Sequence, residues 1–568
     1  MDIIYSANEK PPITTQIFLG LQHCMSMAST LVLVIILLNA AHSSLNDKAH
    51  FLAASIFAIG LGSLLMGLKS RFIGTGYLCP LLCEPAFLIV SLLAVHQGGL
   101  GLLFGMTCLA GLFQILTASV YTYIRKLFPI EVTGVVVLMV GISLIIPDLV
   151  YSTGVDSLNT IHLIIPNIIT AGAALIVMVI LVVWGRGVLM RYCLLFGILT
   201  GFIVAKYLNI FTPANTADFM AAPHYAWPLK LTFNQMHINP NLIFVFFIAS
   251  IAATLKGIGG LIQCQKINDI TWVRPDTINL RKGIFTNGIS TLLGSLIGCM
   301  GLGVSNNNVG ISIATKVTSR YVGIFAGILF MIFAFIPKIS MIFVIMPKPI
   351  LGAMLLFVTS YVLINGLQLI TARLLDTRKI FVVGFSLITG LAVLIAPKLV
   401  DLFPPIFQTL AGAPIVLTTI VAICLSLILR IGIAKEVTLD ITSFQNCGQE
   451  IKLFLEANGR IWGATSDAIE LSIMSCIETL EALYTLNVSP PIKLNFKYDA
   501  YSLVTKIYYT GKELALQSKL PSKEDFKKSD TGIEALAVNL LREYTPHTQI
   551  KADPATPNGY IITLRFVE

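Results

Sequence analysis

Runs of about twenty apolar residues repeat along most of this chain, and they constrain its fold more than any other feature. A helix needs about 20 mainly apolar residues to cross the hydrocarbon layer of a membrane. Twelve uninterrupted runs centre on residues 17–39, 50–68, 99–120, 132–152, 163–185, 189–211, 240–262, 283–303, 320–346, 349–372, 380–397 and 411–430. The sequence therefore predicts an all-α polytopic membrane protein. The first run is too long for a signal peptide, so we expect it to remain as the first span.

The composition agrees with this class. Apolar residues make up 56% of the 568 residues and charged residues only 12%, whereas a soluble protein has about a quarter of its residues charged. This balance excludes a secreted disulfide scaffold, a disordered protein and a nucleic-acid binder. The ten cysteines are scattered without any C-x-x-C spacing, so we expect neither a metal site nor a cofactor.

Two further apolar stretches are interrupted by residues that break helices. Leu78–Val95 contains Pro80, Glu84 and Pro85, and Gly301–Ala314 contains three glycines and three consecutive asparagines. Non-helical backbone at membrane depth is tolerated only where it is buried in protein or lines a polar cavity. Interrupted segments at matching places in two halves of a chain are typical of a transporter's binding site. We therefore expect these two interruptions to meet and to form the site.

Counting the interrupted stretches gives fourteen predicted spans, of which the third and the tenth are broken. These are equivalent positions in two halves of seven, and an odd number of spans per half requires inverted repeats. Seventeen Lys and Arg residues fall in the loops on one side and six on the other. Because basic residues favour the cytoplasmic side, we expect a multi-pass protein with both termini cytoplasmic.

Ionisable side chains inside predicted spans are functional candidates because they are costly in lipid. Gln22 and His23 are adjacent in the first span and would either hydrogen-bond across a helix interface or carry a proton. Glu84, in the third span, would be a proton carrier or one half of an ion pair. Lys256, in the eighth span, would either pair with Glu84 or extend to the membrane surface.

The three asparagines of the tenth span are the strongest candidates for ligand contact. A side-chain amide offers two donors and one acceptor, which suits a ligand with N–H and C=O groups along its edge. The segment reads Ser305, Asn306, Asn307, Asn308, Val309 and Gly310.

Several of these segments resemble the nucleobase–cation symporters, also called nucleobase–ascorbate transporters, which include the uracil and xanthine permeases. Residues 307–310 followed by Thr315 and Lys316 resemble the family signature in sequence and spacing. The Gln22-His23 pair matches its first-span pair, and residues 128–134 (FPIEVTG) are similar to its entry to the fifth span. The likeness covers about residues 14–432.

The resemblance implies two inverted repeats of seven spans, arranged as a core domain and a gate domain and usually dimeric, with a planar base bound between the third and tenth spans. Carried over to this sequence, Phe87 would lie against the base and Asn307 would hydrogen-bond to it. Asn308 and Gly310 would hold the loop and the start of the helix.

The eighth span departs from the family pattern. The family carries there a Glu that binds the base and takes part in proton coupling, whereas this chain has Ala253 or Thr254 at that place, with Lys256 close by. Thr254 is then a candidate substrate contact, and Glu84 is the candidate to replace the missing acid. A Glu84–Lys256 pair would favour a more acidic purine such as xanthine or urate. Proton-coupled symport and uncoupled transport both stay open.

Residues 437–568 have the residue pattern of a soluble, cytoplasmic α+β domain, so we place the end of the membrane domain at residue 436. Asp467 and Glu470 open a predicted helix, alternation predicts strands at 494–498 and 562–566, and a second helix is expected at 533–544 after a charged loop at 521–530. The order of elements faintly resembles the histidine-kinase-type ATPase fold of anti-sigma factors. Ala482 stands where that fold holds its metal through an Asn, so we expect a non-catalytic regulatory or dimerising module.

Together these features predict a secondary transporter and not an enzyme: a permease for nucleobases such as xanthine, urate or uracil. The expected partners are the base, a proton or other cation, the lipid bilayer and a second copy in a homodimer, with no nucleic acid. The expected location is a plasma membrane, here a bacterial inner membrane. Two alternatives remain: an anion transporter of the sulfate-permease type, and a nucleobase-responsive sensor that acts through its C-terminal domain.

Overall fold

The chain folds into two compact units, Met1–Leu427 and Ile428–Glu568. The computed structural model describes residues 3–124, 129–154, 164–185, 192–211, 219–220, 222–269, 276–371, 375–402, 404, 408, 412–429, 435–462, 466–485, 488–498, 502–511, 549–552 and 559–567. The domain boundary at residue 436 stays a prediction. The helix predicted at 533–544, the charged loop at 521–530 and Phe128 of the fifth-span motif lie outside the described residues.

The first unit consists of helices and two very short strands. The helices are α1 (Ile13–Ala28), α2 (Leu31–Ala40), α3 (Leu45–Gly67), α4 (Leu88–Ile124), α5 (Ile130–Thr153), α6 (Ile164–Val183), α7 (Cys193–Tyr207), α8 (Pro240–Asn268), α9 (Thr277–Leu296), α10 (Asn306–Thr315), α11 (Arg320–Ala334), α12 (Pro337–Val344), α13 (Lys348–Thr371), α14 (Thr377–Ile395) and α15 (Pro414–Leu429). The strands are β1 (Leu81–Cys83) and β2 (Leu302–Val304), and one-turn or two-turn 3₁₀ helices cover Pro85–Phe87, Phe233–Gln235 and Pro397–Leu402.

Among the described residues, eight helices are long and apolar enough to cross a membrane, or nine if α11 and α12, bent by 81°, form one span. The helices α7 and α15 are apolar but shorter. This confirms a helical polytopic membrane protein, while the number fourteen and the inverted repeats stay predictions.

The predicted third and fourth spans are joined by a sharp break at Gly98 and Gly99. Gly99 has a φ of +68°, in the left-handed region that glycine adopts without strain. A Cβ at this residue would meet no atom within 4 Å, so backbone conformation and not space calls for glycine here.

Three pairs of long helices approach each other closely enough for glycines to touch backbone. Small residues let membrane helices pack at short distance, since lipid provides no hydrophobic force between them. In each pair a Cβ added to one glycine would come within about 3 Å of the facing glycine's carbonyl oxygen. The pairs are Gly60 in α3 with Gly327 in α11, Gly111 in α4 with Gly288 in α9, and Gly134 in α5 with Gly366 in α13.

The second unit contains a five-stranded sheet with helices. Its described elements are β3 (Lys435–Ile441), α16 (Cys447–Trp462), α17 (Ser466–Thr485), β4 (Ile492–Tyr498), β5 (Ser502–Thr510), β6 (Gln549–Ala552) and β7 (Gly559–Val567). The strand order is β3-β4-β5-β7-β6, and neighbours are antiparallel. The strands predicted at 494–498 and 562–566 lie in β4 and β7, and the helix predicted from Asp467 lies in α17, so these predictions are confirmed.

Candidate functional site

The two interrupted segments meet as an antiparallel ribbon, as the sequence predicts. Leu81 pairs with Val304, and Cys83 pairs with Leu302. Two backbone bonds extend the ribbon at its ends: the Ser305 amide donates to the Pro80 carbonyl at 2.9 Å, and the Glu84 amide donates to the Gly301 carbonyl at 3.0 Å. The pairing provides hydrogen-bond partners for backbone N–H and C=O groups, which would be costly to bury in an apolar unit without partners.

Each strand of the ribbon continues directly into the N-terminus of a helix. The 3₁₀ turn Pro85–Phe87 and α4 follow β1, and α10 follows β2. Because the strands are antiparallel and a three-residue strand is roughly 10 Å long, the two helix starts lie at opposite ends of the ribbon. The first N–H groups of a helix have no partner within it and carry a partial positive charge. The arrangement therefore presents hydrogen-bond donors from two directions.

An ion pair joins the ribbon to α8. The Lys256 ammonium donates to both carboxylate oxygens of Glu84 at 2.9 Å, and the side chains are only 9% and 1% exposed. The sequence left open whether Lys256 pairs with Glu84 or extends to the membrane surface, and in the structure it pairs with Glu84. With both charges buried, each neutralises the other, and separating them would leave an uncompensated charge.

A second polar group connects α1 to the start of α10. The His23 Nδ1 and the Asn308 Oδ1 atoms are 2.7 Å apart, and the Asn308 side-chain amide donates to Ser305 Oγ at 2.8 Å. Ser305 also caps α10 by accepting from the Asn308 backbone amide. His23, Ser305 and Asn308 are each 0% exposed. Asn308 thus uses both ends of its side-chain amide in contacts within the protein.

Some polar atoms beside these groups have no partner among the described residues. They are the Gln22 Oε1, His23 Nε2 and Asn306 Oδ1 atoms. Asn306 and Asn307 are half-buried at the first turn of α10. Hydrogen-bonding capacity is therefore available at this point of the ribbon.

The remaining predicted site residues differ in their solvent exposure and in their contacts. Phe87 is fully buried, and a Cβ at Gly301 would collide with its ring. The Thr254 hydroxyl donates to the Ser250 carbonyl of its own helix at 2.8 Å. Gly310 is exposed on α10, with open space where a Cβ would stand.

Two glycines that shape the ribbon, Gly260 and Gly303, are absent from the predicted site residues. A Cβ at Gly260 of α8 would lie 2.5 Å from the Asn306 Oδ1 atom. A Cβ at Gly303 would collide with the Glu84 carboxylate. A glycine in a short strand signals close approach of another group, so Gly303 was accessible to sequence reasoning, whereas Gly260 depends on helix packing.

A cavity of about 470 Å³ lies between the helix that follows β1 and the helices that face it. Ile89 lines it on one side, and Ser143 and Ile146 of α5 line it on another. Its wall is completed by Val393, Leu394, Pro397, Val400, Asp401, Gly412 and Pro414. Among the described residues no group of three His, Cys, Asp or Glu side chains is arranged to hold a metal ion.

Comparison with known proteins decides the family. The model of a family described as "Permease family", that of the xanthine and uracil permeases, matches residues 14–399, which is more than half of the chain. The chain belongs to this permease family.

Curated relatives of the permease are transporters of the same kind. The nucleobase transporter PlUacP of Paenibacillus larvae is 24% identical over 424 residues, covering 74% of this chain and 95% of the relative. The xanthine permease XanP of Escherichia coli is 24% identical over 444 residues, covering 75% and 94%. The protein is therefore a multi-pass membrane transporter and not an enzyme.

A solved structure shares the fold of the permease. It is the murine Slc26a9 anion transporter in the inward-facing state, with 11% identity and a TM-score of 0.50, covering 77% of this chain and 72% of the other. The family match ends before the second unit begins, so the ATPase-like resemblance of that unit stays a prediction.

Proposed function

We propose that this permease transports nucleobases, chiefly purines such as xanthine or urate, and that the base binds at the ribbon formed by β1 and β2. The observation that carries the proposal is the meeting of the two interrupted segments, Leu81–Cys83 and Leu302–Val304. It places one helix start at each end of the short ribbon, with the amides of residues 306 and 307 at the end where α10 begins. A planar base needs paired donors and acceptors along its edge and apolar surfaces on its faces.

The residues around the ribbon divide these roles. Asn307, half-buried and at the start of α10, is the side chain that hydrogen-bonds the edge of the base, with Asn306 beside it. Asn308 and Ser305 hold the loop through the bonds described above, and Phe87, whose ring lies close to Gly301, is the apolar side chain that lies against the base.

The Glu84–Lys256 pair stands in for the acid that the family has in its eighth span. The pair has no net charge, so it provides no free cation for a small inorganic anion. It does provide polar atoms for a neutral or weakly acidic base. This favours a purine over the sulfate-type alternative.

The finer architecture follows from the same elements. We assign fourteen spans in two inverted repeats of seven, with β1 and β2 in matching positions of the two halves. We also propose a homodimer with cytoplasmic termini, in which the core carrying the ribbon moves against a gate to give alternating access. The cavity between Ile89 and α5 is a place where these two parts face each other.

Uptake of radiolabelled xanthine, urate, uracil and sulfate into cells that express the protein tests the proposal. We expect uptake of a purine base, competed by other bases and not by sulfate, and at least a tenfold loss in Asn307→Ala. Asn241→Ala, an exposed asparagine at the start of α8, is the matched control and should transport normally. Uptake of sulfate alone, or full purine uptake by Asn307→Ala, would contradict the proposed site.

Deletion of residues 440–568 addresses the sensor alternative. A carrier keeps its uptake rate without the second unit. Base binding without flux in the intact protein would instead favour a sensor.

A further inference from the structure

Three acidic side chains are buried in the described part of the first unit, and two of them form an ion pair with a lysine. Glu84 pairs with Lys256 at 2.9 Å, and the Glu131 carboxylate lies 2.7 Å from the Lys379 ammonium. Asp148 in α5 is the third, and it is 0% exposed. Neither of its carboxyl oxygens forms a hydrogen bond of ordinary geometry with another described residue, and no basic group of these residues pairs with it. Asp148 is therefore the buried acid that the ion pairs leave unexplained.

The surroundings of Asp148 are polar but uncharged. The Thr359 hydroxyl of α13 lies beside the carboxyl group, and its Oγ1 atom has no hydrogen-bond partner of ordinary geometry. One turn further along α5, the Ser152 hydroxyl is also without a partner and lies against Gly352 of α13. Two helices thus bring a carboxyl and two hydroxyl groups to one buried interface.

The charged and titratable groups of the elements packed against α5 do not compensate Asp148. None of them forms an ion pair with it within 4.0 Å, and Glu131 and Lys379 are engaged with each other. On α5 itself, α13, α14 and α8 these groups are Glu131, Tyr151, Lys348, Tyr361, Arg378, Lys379, Lys256, Cys264 and Lys266, and α6 carries none.

An ionised carboxylate in this position would be costly. Burying a charge without a partner costs several kcal/mol, and a group in that situation takes up a proton instead. A protonated carboxyl has an O–H that can donate to a hydroxyl such as that of Thr359. The geometry therefore suits the neutral acid in this conformation of the protein.

The position of Asp148 connects it to the transport movement. The same helix lines the 470 Å³ cavity through Ser143 and Ile146, and Ile89, which also lines it, belongs to α4, the helix that follows β1. A shift of the ribbon and its helices against α5 would change the access of water to this end of α5. Water reaching Asp148 would stabilise its ionised form and release the proton.

We propose that Asp148 binds the proton that this permease moves together with its substrate, so that coupling lies in the α5–α13 interface instead of the eighth span. The inference rests on the proposed function, because it assigns the coupling of that same transport. The assignment explains why a second acid is needed for coupling: Glu84, the acid at the ribbon, is already neutralised by Lys256.

Transport in proteoliposomes tests this assignment. An inward gradient of one pH unit can drive about a tenfold accumulation of base when one proton accompanies each molecule. We expect the wild type to respond to the gradient and Asp148→Asn, which mimics the protonated acid, to show a ratio of about one while retaining base counterflow. Asp148→Glu, which keeps a titratable group, should restore part of the response, and Glu450→Gln, an exposed acid of α16, should not alter it. A normal gradient response in Asp148→Asn, or a wild type driven by sodium or by no ion, would overturn the proposal.

A second measurement does not depend on transport. A hydrophobic carbodiimide adds to protonated carboxyl groups in an apolar environment. Treatment of the membrane-embedded wild type, followed by peptide mass spectrometry, should label Asp148 and leave Glu84 and Glu131 unlabelled. Labelling of Asp148 in a protein that carries no base would show that the proposed function failed and the proton site did not, whereas an unlabelled Asp148 would overturn the inference.

Discussion

The Lys256 ammonium lies 2.9 Å from both carboxylate oxygens of Glu84, although the two residues are 172 positions apart in the chain. One belongs to the long helix α8, and the other stands at the end of strand β1, where the chain turns into a helix. The pair therefore ties the broken third segment to the eighth at the place where we propose that the base binds.

Removing one member of this pair should be more harmful than removing both. Glu84→Gln or Lys256→Met leaves a buried charge without a partner, which costs about 3–5 kcal/mol, whereas replacing both can be nearly neutral. We expect each single variant to unfold at a lower temperature in detergent and the double variant to recover most of the loss. The measurement is the apparent melting temperature by size-exclusion chromatography. Additive losses in the double variant would show that the pair does not act as a unit.

Gly303→Ala should damage the ribbon. The new Cβ would collide with the Glu84 carboxylate, and overpacking of this kind costs about 1–3 kcal/mol. Gly310→Ala is the matched substitution, because its Cβ would enter open space in α10 and alanine favours a helix over glycine by about 1 kcal/mol. We expect the melting temperature to fall in the first variant and to stay equal or rise in the second. The same fall in both would argue against the close approach at Gly303.

Asn308→Ala should abolish base uptake without loss of membrane expression. The substitution removes the partner of both His23 and Ser305, so the start of α10 loses the bonds that position it. Because a variant without uptake gives no rate to compare, the melting temperatures in detergent of Asn308→Ala, His23→Ala and the double variant form the cycle. Because contacting residues couple by about 0.5–3 kcal/mol, the double variant should be little worse than Asn308→Ala alone. Retained uptake in Asn308→Ala would count against this site.

The thiol of Cys476 in the second unit should be unreactive until that unit unfolds. Burial raises the pKa of Cys476 to about 12, although hydrogen bonds from Ser472 and Thr505 oppose the shift. Since the thiolate is the reactive form, at pH 8 only about one thiol in ten thousand is ionised, and each unit of rising pH up to the pKa gives about ten times more. Maleimide labelling followed by mass spectrometry should modify the half-buried Cys447 first and Cys476 only in denaturant. Equal labelling of both in the folded protein would contradict the burial of α17.

Local signals explain what could be predicted. Apolar runs predict helices because each backbone group in lipid must find its partner within the same segment, and the prolines and glycines around Glu84 and Gly303 mark where that is impossible. The two strands predicted in the second unit, within β4 and β7, follow from alternation, whereas β3, β5 and β6 were not predicted. The pairing of β1 with β2 was expected because both breaks need partners.

Other contacts were beyond sequence reasoning. Asp148 was not among the predicted site residues, because one acid near the end of an apolar run is typical of the boundary of a span. Its lack of an ion-pair partner becomes visible only in the structure, where the uncharged Thr359 of α13 lies beside the carboxyl group. The role of Gly260 likewise appears only with Asn306 against it.

The sequence by itself determined that the chain spans a membrane, that two of its segments cannot be continuous helices and that amides stand at the second break. Only the tertiary structure decided which polar groups meet: Lys256 pairs with Glu84 and His23 hydrogen-bonds with Asn308, whereas Asp148 has no basic partner among the residues that the structure describes. The physical reason is that hydrophobicity and helix breaking act over a few neighbouring residues, whereas the energy of a buried charge depends on atoms brought within about 3 Å from distant parts of the chain.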